Sequence, residues 1–199
     1  MAKYSGGTRI SRPISMAGRG GSPRASGRNW NAQTPAAIKA AENSVKNNFY
    51  ETGFIFDKNG RLLWSAKGDR SSVSIAGSGI KKGDILTHNH PSNGSFSAAD
   101  IQVAQTHKLA EIRAVGRNRV YSLRPGKGWQ NYANEKVSKI YKSERIKAYK
   151  KVDGYINRGR SISREEYRRR LKNRHIIAQH LTIKAVAKEM GYEYRTQKL

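Results

Sequence analysis

Two histidines separated by one residue follow an apolar run in the segment ILTHNHPSNGSFSAAD. Side chains two apart in an extended chain point to the same side, so His88 and His90 can face one metal ion. A proline ends the strand, and a turn leads to Ser97, where a helix begins whose first turn returns Asp100 toward the histidines. Two imidazoles and a carboxylate are three protein ligands, the number that a catalytic zinc uses when its fourth position is open.

Hydrolysis at such a metal also requires a base that takes a proton and passes it to the leaving group. Glu51 is the candidate, because it begins the apolar strand ETGFIFD, where a buried acid beside the histidine strand would otherwise be energetically costly. The rival carboxylates Asp57, Asp69 and Asp84 are each better explained by a turn.

The chain order of these residues resembles that of a known family. A strand glutamate, then His-x-His-Pro, then Ser-x-x-Asp is similar to the JAMM or MPN+ metalloproteases, also called JAB domains, which include RadC-like bacterial proteins. The resemblance covers about residues 36–128. It is closest to JAB domains of phage minor head and head-morphogenesis proteins, in which segments similar to GDRSSVSI, THNHPSNGSFSAAD and EIRAVG recur in this order.

The resemblance implies hydrolysis of a peptide or isopeptide bond by a Zn²⁺ enzyme. It assigns His88, His90 and Asp100 as zinc ligands and Glu51 as the general acid and base. Ser97 would hydrogen-bond the oxyanion or the water on the metal. The stretch from His90 to Ser97 is one residue shorter than in the deubiquitinating members of the family, so the substrate preference stays open.

Simpler interpretations exist for each motif taken alone. Ser-x-x-Asp is ordinary helix capping, and His-x-His occurs more often in surfaces or cores than at metals. The letters His-Asn-His invite the label HNH nuclease, but the ββα context of that motif is missing. His107 lies two turns after Asp100 on the same helix face, although a packed or solvated role is favoured. His175 and His180 fall on different helix faces, so no metal pair is expected there.

The elements that must position these residues follow from the apolar pattern. The sequence predicts a helix at about 35–48, a hairpin from ETGFIFD and RLLWSA around an Asn-Gly turn, and a strand in DILTH. A helix in SAADIQVAQTHKLA and a second hairpin from EIRAVG and RVYSLRP follow, and 71–75 can add a short strand. The predicted class is α/β, and the resemblance implies a JAMM/MPN-like, cytidine-deaminase-like α-β-α domain.

Three regions are expected. Residues 1–34 form a disordered basic N-terminal arm with six basic and no acidic residues, 35–128 form the JAMM/MPN-like metalloprotease domain, and 129–199 form a basic helical C-terminal extension. The extension contains helices at about 131–152, from a capping box at Ser163, and from 182 to 190, ended by Gly191. The last of these resembles, weakly, the first half of a helix-turn-helix.

The net charge of +25 favours a polyanionic partner, nucleic acid before membrane. Residues 129–199 hold nineteen basic against seven acidic residues. The predicted contacts are the N-terminal arm and the run Arg168, Arg169, Arg170, Lys172 and Arg174. The chain has no cysteine, which excludes disulfides and thiolate metal sites. No apolar stretch long enough for a membrane span and no secretory signal are recognised.

Three classes of function therefore remain open. The first is a JAMM-type zinc metallopeptidase encoded by a phage or mobile element, with a protein or peptide substrate. The second is a nucleic-acid-associated minor virion protein that uses the JAMM-like fold as a scaffold, with capsid proteins as partners. The third is a metal-dependent nuclease or toxin. The expected location is the host cytoplasm or the virion.

Overall fold

The structure, a computed structural model, describes residues 34–157 and 162–199. The predicted N-terminal arm lies outside the described residues, apart from Thr34. The described elements are, in chain order, α1 (Ala36–Val45), β1 (Thr52–Phe56), β2 (Leu62–Lys67), β3 (Ile85–Asn89), α2 (Ala98–Thr106), β4 (Glu111–Val115), β5 (Arg119–Arg124), α3 (Asn134–Asn157), α4 (Arg164–Met190) and β6 (Glu193–Lys198). None of these helices is both long enough and apolar enough to cross a membrane.

The described strands all belong to one mixed sheet, in the spatial order β2-β1-β3-β4-β5-β6. Within it β3 and β4 run parallel, and the other neighbouring pairs are antiparallel. A parallel pair requires a crossover connection, which α2 provides between β3 and β4. The α/β class predicted from the sequence is confirmed.

Helices cover both faces of this sheet. On one face α1 packs through Ile38, which contacts Phe56 and Ile85. The opposite face carries the main core, where the strands meet α2, α3 and α4 through Ile55, Leu86, Phe96, Ile101, Ile112, Leu123, Val137, Ile183, Val186 and Met190. Successive side chains alternate across a strand, so the adjacent residues Ile85 and Leu86 of β3 belong to different cores.

The first hairpin forms as predicted. The strands β1 and β2 pair antiparallel, with a register shift between Ile55 and Phe56. The turn is fixed by Asp57, whose carboxylate accepts the backbone N–H groups of Asn59 and Arg61, both at 2.9 Å. Gly60 adopts a φ of 82°, a conformation that glycine reaches without strain.

The additional strand predicted at 71–75 is absent, because the chain turns there. Asp69 accepts the backbone N–H groups of Ser71 and Ser72, each at 2.7 Å. Such an Asx-type turn competes with strand pairing. The segment instead becomes a loop beside the candidate site.

The C-terminal part differs from the predicted helical extension. The helices expected from Ser163 and at 182–190 form one helix, α4, because no helix breaker separates them. The hydroxyl of Thr182 donates to the carbonyl of Ala178 at 2.7 Å inside this helix. Gly191 ends α4 with a φ of 74°, as predicted. The chain then pairs as β6 with β5, so the helix-turn-helix interpretation is wrong.

The helices of this part pack against the rest of the fold. α3 occupies most of the predicted span 131–152, and α3 and α4 share a small core of Val152, Ile156 and Ala178. Val137 of α3 and Ile183 of α4 also belong to the main core. The division at residue 129 stays a prediction, but the segment after it completes both the sheet and the core.

A buried ionic network lies between α1 and the sheet. Glu42 of α1 accepts hydrogen bonds from Arg113 at 2.5 and 3.1 Å and from the hydroxyl of Thr87 at 3.1 Å. Arg113 also donates to Glu111 at 2.6 Å, and Glu111 accepts from Arg124. These acids raise the pKa of Arg113 above its usual range although its burial works in the opposite direction. The network ties α1 to three strands.

Replacing Glu42 with alanine removes one of the two carboxylates that pair with the buried guanidinium of Arg113. Removing one partner of a buried ion pair costs about 3 to 5 kcal/mol. We expect this loss in the free energy of unfolding measured by urea denaturation. Glu189→Ala, an exposed change of the same type on α4, is the matched control and should change stability by about 0.5 kcal/mol or less. Equal effects of the two changes would contradict the role assigned to the network.

Candidate metal centre

The two histidines project from the central strand β3 toward the main core. His88 pairs with Gly53 of β1 and with Ala114 of β4. His90 follows the strand, and its backbone N–H donates to the carbonyl of Val115 at 2.8 Å. The Nε2 atoms of the two imidazoles lie 2.8 Å apart. The spacing of two residues therefore brings both rings to one point, as the sequence predicts.

The carboxylate of Asp100 reaches the same point from the first turn of α2. Its Oδ1 lies 3.2 Å from Nε2 of His88, and its Oδ2 lies 3.7 Å from Nε2 of His90. Ser97 is the N-cap of the helix: its hydroxyl accepts the N–H of Asp100 at 3.2 Å, and its own N–H donates to Oδ2 at 2.7 Å. This capping box fixes the carboxylate in place.

The hydroxyl of Ser97 is itself engaged with the same carboxylate. It donates to Oδ2 of Asp100 at 2.8 Å in addition to accepting the backbone N–H. Ser97 thus positions a candidate metal ligand. The contact with an oxyanion stays a prediction.

Glu51 enters the site from the strand next to β3. Its backbone N–H donates to the carbonyl of Asp69 at 2.7 Å, and its carbonyl accepts the N–H of Gly68 at 2.8 Å, which anchors it at the open end of the first hairpin. Its Oε1 lies 4.0 Å from Nε2 of His90. The ligand atoms of Glu51, His88 and His90 all lie within 4.8 Å of one another, so this group could bind a metal ion.

Burial and mutual charges shift the protonation equilibria of the four groups. Burial raises the pKa of Glu51 to about 7, although His88 works in the opposite direction. Burial disfavours ionisation of Asp100, but the charge and hydrogen bond of His88 outweigh it and hold the pKa of Asp100 well below its usual range. Burial disfavours protonation of His88, yet the charge of Asp100 keeps the pKa of His88 above its ordinary value.

The remaining imidazole behaves differently. Burial and the charge of His88 both lower the pKa of His90. These shifts favour the ionised form of Asp100 and the neutral form of His90, which are the forms that bind metal, whereas a proton on His88 must leave before that imidazole binds a cation.

The second ring nitrogens have different surroundings. Nδ1 of His90 faces the carbonyl of Gly94 at 3.1 Å, an arrangement that orients a ligand imidazole and leaves its Nε2 free for metal. Nδ1 of His88 is buried and has no hydrogen-bond partner among the described residues. The orientation of His88 therefore depends on its place in β3 and on Asp100.

These groups open into a cleft of about 340 Å³. The loop after β2 contributes Arg70, Val73 and Ile75 to its lining, and α4 contributes Gln179. Gly53, beside His88, has no side chain, and a Cβ there would lie 3.2 Å from a methyl group of Val73. The loop can thus approach the histidine strand closely.

The helix α4 holds the loop between His90 and Ser97, a function that the sequence analysis missed. Gln179 donates to the carbonyl of Phe96 at 3.3 Å, and Nε2 of His175 lies 3.1 Å from the carbonyl of Ser92. These contacts join residues 83 apart in the chain. Polar residues inside a long helix carry no sequence signal for such long-range pairing.

The other histidines do not join the site. His107 caps the C-terminal end of α2, opposite to Asp100. His175 bonds the loop carbonyl, and His180 bonds the hydroxyl of Tyr194 at 2.9 Å, so the two have separate partners. The rival carboxylates accept backbone N–H groups of their own turns, namely Asp57, Asp69 and Asp84.

Comparison with known proteins does not identify a relative. No protein-family model, no curated protein and no solved structure matches the chain. The chemistry of the site must therefore be argued from its own residues.

Gly94 of the loop packs against the side chain of Gln179 in α4. A Cβ at this position would lie 2.0 Å from Oε1 of Gln179. We expect Gly94→Ala to displace the Gln179 side chain from the carbonyl of Phe96 and to lower the free energy of unfolding by about 0.5 to 1.5 kcal/mol, the net contribution of one hydrogen bond. Thermal or urea unfolding measures it.

The double variant Gly94→Ala/Gln179→Ala removes the clash and is the matched control. It should be more stable than the sum of the single changes by about 1 kcal/mol or more. Additive effects would show that Gln179 does not constrain the loop.

Proposed function

We propose that this protein is a zinc-dependent metallopeptidase of the JAMM type, which hydrolyses a peptide or isopeptide bond. The observation that carries the proposal is the convergence of Glu51, His88, His90 and Asp100 at one end of a cleft. The chain order of these residues, which resembles that of JAB domains, supports the same assignment, as does the α/β sheet with helices on both faces.

The distances fit a small divalent cation held by His88, His90 and Asp100. Zinc bonds to nitrogen and oxygen are about 2.0 to 2.2 Å long, which places the ligand atoms of a tetrahedral site about 3.3 Å apart. The two Nε2 atoms lie 2.8 Å apart, and Asp100 approaches each imidazole with a different oxygen, Oδ1 at 3.2 Å from His88 and Oδ2 at 3.7 Å from His90, so the separations lie on both sides of this value. Histidine and carboxylate ligands without thiolate also match zinc.

Glu51 suits the general base. Its Oε1 lies 4.0 Å from Nε2 of His90, longer than the edge of a tetrahedral zinc site, so the carboxylate can stand beside the ligands rather than among them. In the metal-free site burial raises the pKa of this carboxylate to about 7, so Glu51 holds a proton more readily than an exposed glutamate does. The competing assignment, in which Glu51 is itself a ligand with the two histidines, predicts a different mutant behaviour.

Each residue of the site has a separate role in the proposed reaction. Bound zinc would polarise the scissile carbonyl and lower the pKa of water in the cleft. Glu51 takes the proton from the attacking water and delivers it to the leaving amine. Ser97 holds Asp100 through the capping box. The loop at 70–75 and Gln179 form the walls between which a polypeptide segment lies.

The wider setting follows from the family resemblance. The JAB domains that this chain resembles most belong to phage head proteins, so we infer a phage or mobile-element protein that acts in the host cytoplasm or in the virion. Capsid proteins are then candidate substrates or partners. A minor virion protein with an inactive scaffold, and a metal-dependent nuclease, are the alternatives that the experiments below separate.

The metal assignment predicts about one tightly bound zinc per chain. Zinc should raise the thermal midpoint of the wild type, since a ligand of the folded state stabilises it. His88→Ala should lose at least about a hundredfold in zinc affinity and the thermal shift with it. His107→Ala, at the far end of α2, is the control and should bind as the wild type does. A wild-type protein that binds no zinc would rule out the metal centre.

The base assignment predicts that Glu51→Gln keeps zinc affinity within a few fold but loses about 10² to 10⁴ in hydrolysis rate. The assay is zinc-dependent cleavage of a mixture of unstructured polypeptides and isopeptide-linked peptides, followed by mass spectrometry. Glu135→Gln, an exposed change on α3, is the control. Loss of zinc in Glu51→Gln would instead make Glu51 a ligand. Cleavage of DNA or RNA without peptide cleavage would favour the nuclease.

A further inference from the structure

A second depression lies on the outer side of α3, away from the metal centre. Its volume is about 410 Å³, and we call it the α3 groove; its lining is Lys142, Arg145, Ile146, Tyr149, Lys150 and Asp153. All three basic residues are exposed. Lys142 and Lys150 are eight residues apart, which corresponds to about 12 Å along the helix axis. The groove therefore presents a row of positive charge.

The one acid in this lining is already neutralised. Asp153 accepts two hydrogen bonds from Arg174 of α4, at 2.5 and 2.6 Å. Lys142, Arg145 and Lys150 have no carboxylate partner among the described residues. Their charge is thus available to a ligand.

The arginine run that the sequence favoured for a polyanion has a different environment. Arg169 and Arg170 both pair with Glu166, at 2.6 and 2.8 Å, and Arg174 pairs with Asp153. Arg170 and Arg174 also lie over tyrosine rings of α3, and so join the two helices. Two members of the run, Arg168 and Lys172, have no acidic partner among the described residues, but the depression they line also contains Glu165 and Glu166.

The aromatic residue of the α3 groove indicates which part of a nucleic acid fits. Arg145 and Arg174 lie over the ring of Tyr149, at 5.5 and 4.6 Å from its centroid. The ring is therefore occupied by cations and offers little surface for base stacking, on which single-strand binders depend. The phosphates of one strand recur about every 3.4 Å along the axis of a duplex, so several of them fit a row of cations about 12 Å long.

We propose that the α3 groove binds the phosphodiester backbone of duplex nucleic acid, through Lys142, Arg145 and Lys150. The contact is independent of base sequence and separate from the metal centre. It moves the polyanion surface from the arginine run of α4 to the neighbouring helix.

The test compares two triple variants of the full chain that remove the same charge. One is Lys142→Gln/Arg145→Gln/Lys150→Gln, and the control is Lys58→Gln/Lys81→Gln/Lys82→Gln, at exposed positions elsewhere. Binding of labelled duplex DNA and duplex RNA of one sequence is measured by fluorescence anisotropy across a salt series. The variant with three changes in the α3 groove should bind at least about tenfold more weakly. The slope of its log binding constant against log salt concentration should fall in magnitude by about 2 to 3, whereas the control should lose little affinity.

Further variants make the result decisive. Single changes Lys142→Gln and Lys150→Gln should each lower the slope by about 1, and they keep the test valid if the triple variant unfolds. Binding of duplex DNA, duplex RNA or both through the α3 groove supports the proposal and identifies which nucleic acid the groove binds. Equal losses in both triples would show a mere charge effect and overturn it. A loss of duplex affinity only in Arg168→Gln/Lys172→Gln would also overturn the proposal. The same holds if the α3 groove binds anionic phospholipid vesicles but neither duplex.

Discussion

The alternation of side chains along two adjacent strand segments, β1 and β3, is the constraint on which the site depends. Residues at every second position of β3 face the main core, so His88 and His90 project to the same side as Leu86. Glu51 stands two residues before Gly53, the partner of His88 in β1, and therefore faces that side as well. A register shift of one residue would turn these side chains toward α1. Because β3 is buried along its whole length, such a shift would be energetically costly, and the side chains of the site keep their positions.

The opposite face of the same strands shows why this register is firm. Thr87 precedes His88 in β3 and faces the opposite side of the sheet. Its hydroxyl donates to Glu42 inside the buried network of α1, which Arg113 of β4 completes. Charged groups in that position must be paired, because an unpaired buried charge is strongly unfavourable. The sheet is thus held on one side by ion pairs together with a small apolar cluster, and on the other by the main apolar core. The histidines gain their fixed positions from both.

Much of this could be read from the sequence, and the failures have physical causes. Short-range signals were reliable: the Asn59-Gly60 turn, the cap at Ser97 and the glycine at 191 each specify local geometry by their own chemistry. Contacts between distant segments were not visible. The strand β6 is a largely polar segment, EYRTQK, and its pairing with β5 joins residues as far apart in the chain as Arg119 and Lys198. Likewise nothing in the letters around Gln179 indicates that it supports the loop after His90.

The distribution of charge separates the two proposed activities within one molecule. The cleft holds two carboxylates, Glu51 and Asp100, and among the described residues that line it Arg70 is the single lysine or arginine. The cleft thus mixes groups of both charge signs, whereas the α3 groove presents three cations and one neutralised acid. The net charge of +25 is therefore a poor guide to what the cleft accepts. The two proposals therefore place polyanion binding and hydrolysis on different surfaces, so that bound nucleic acid would leave the cleft open to a polypeptide.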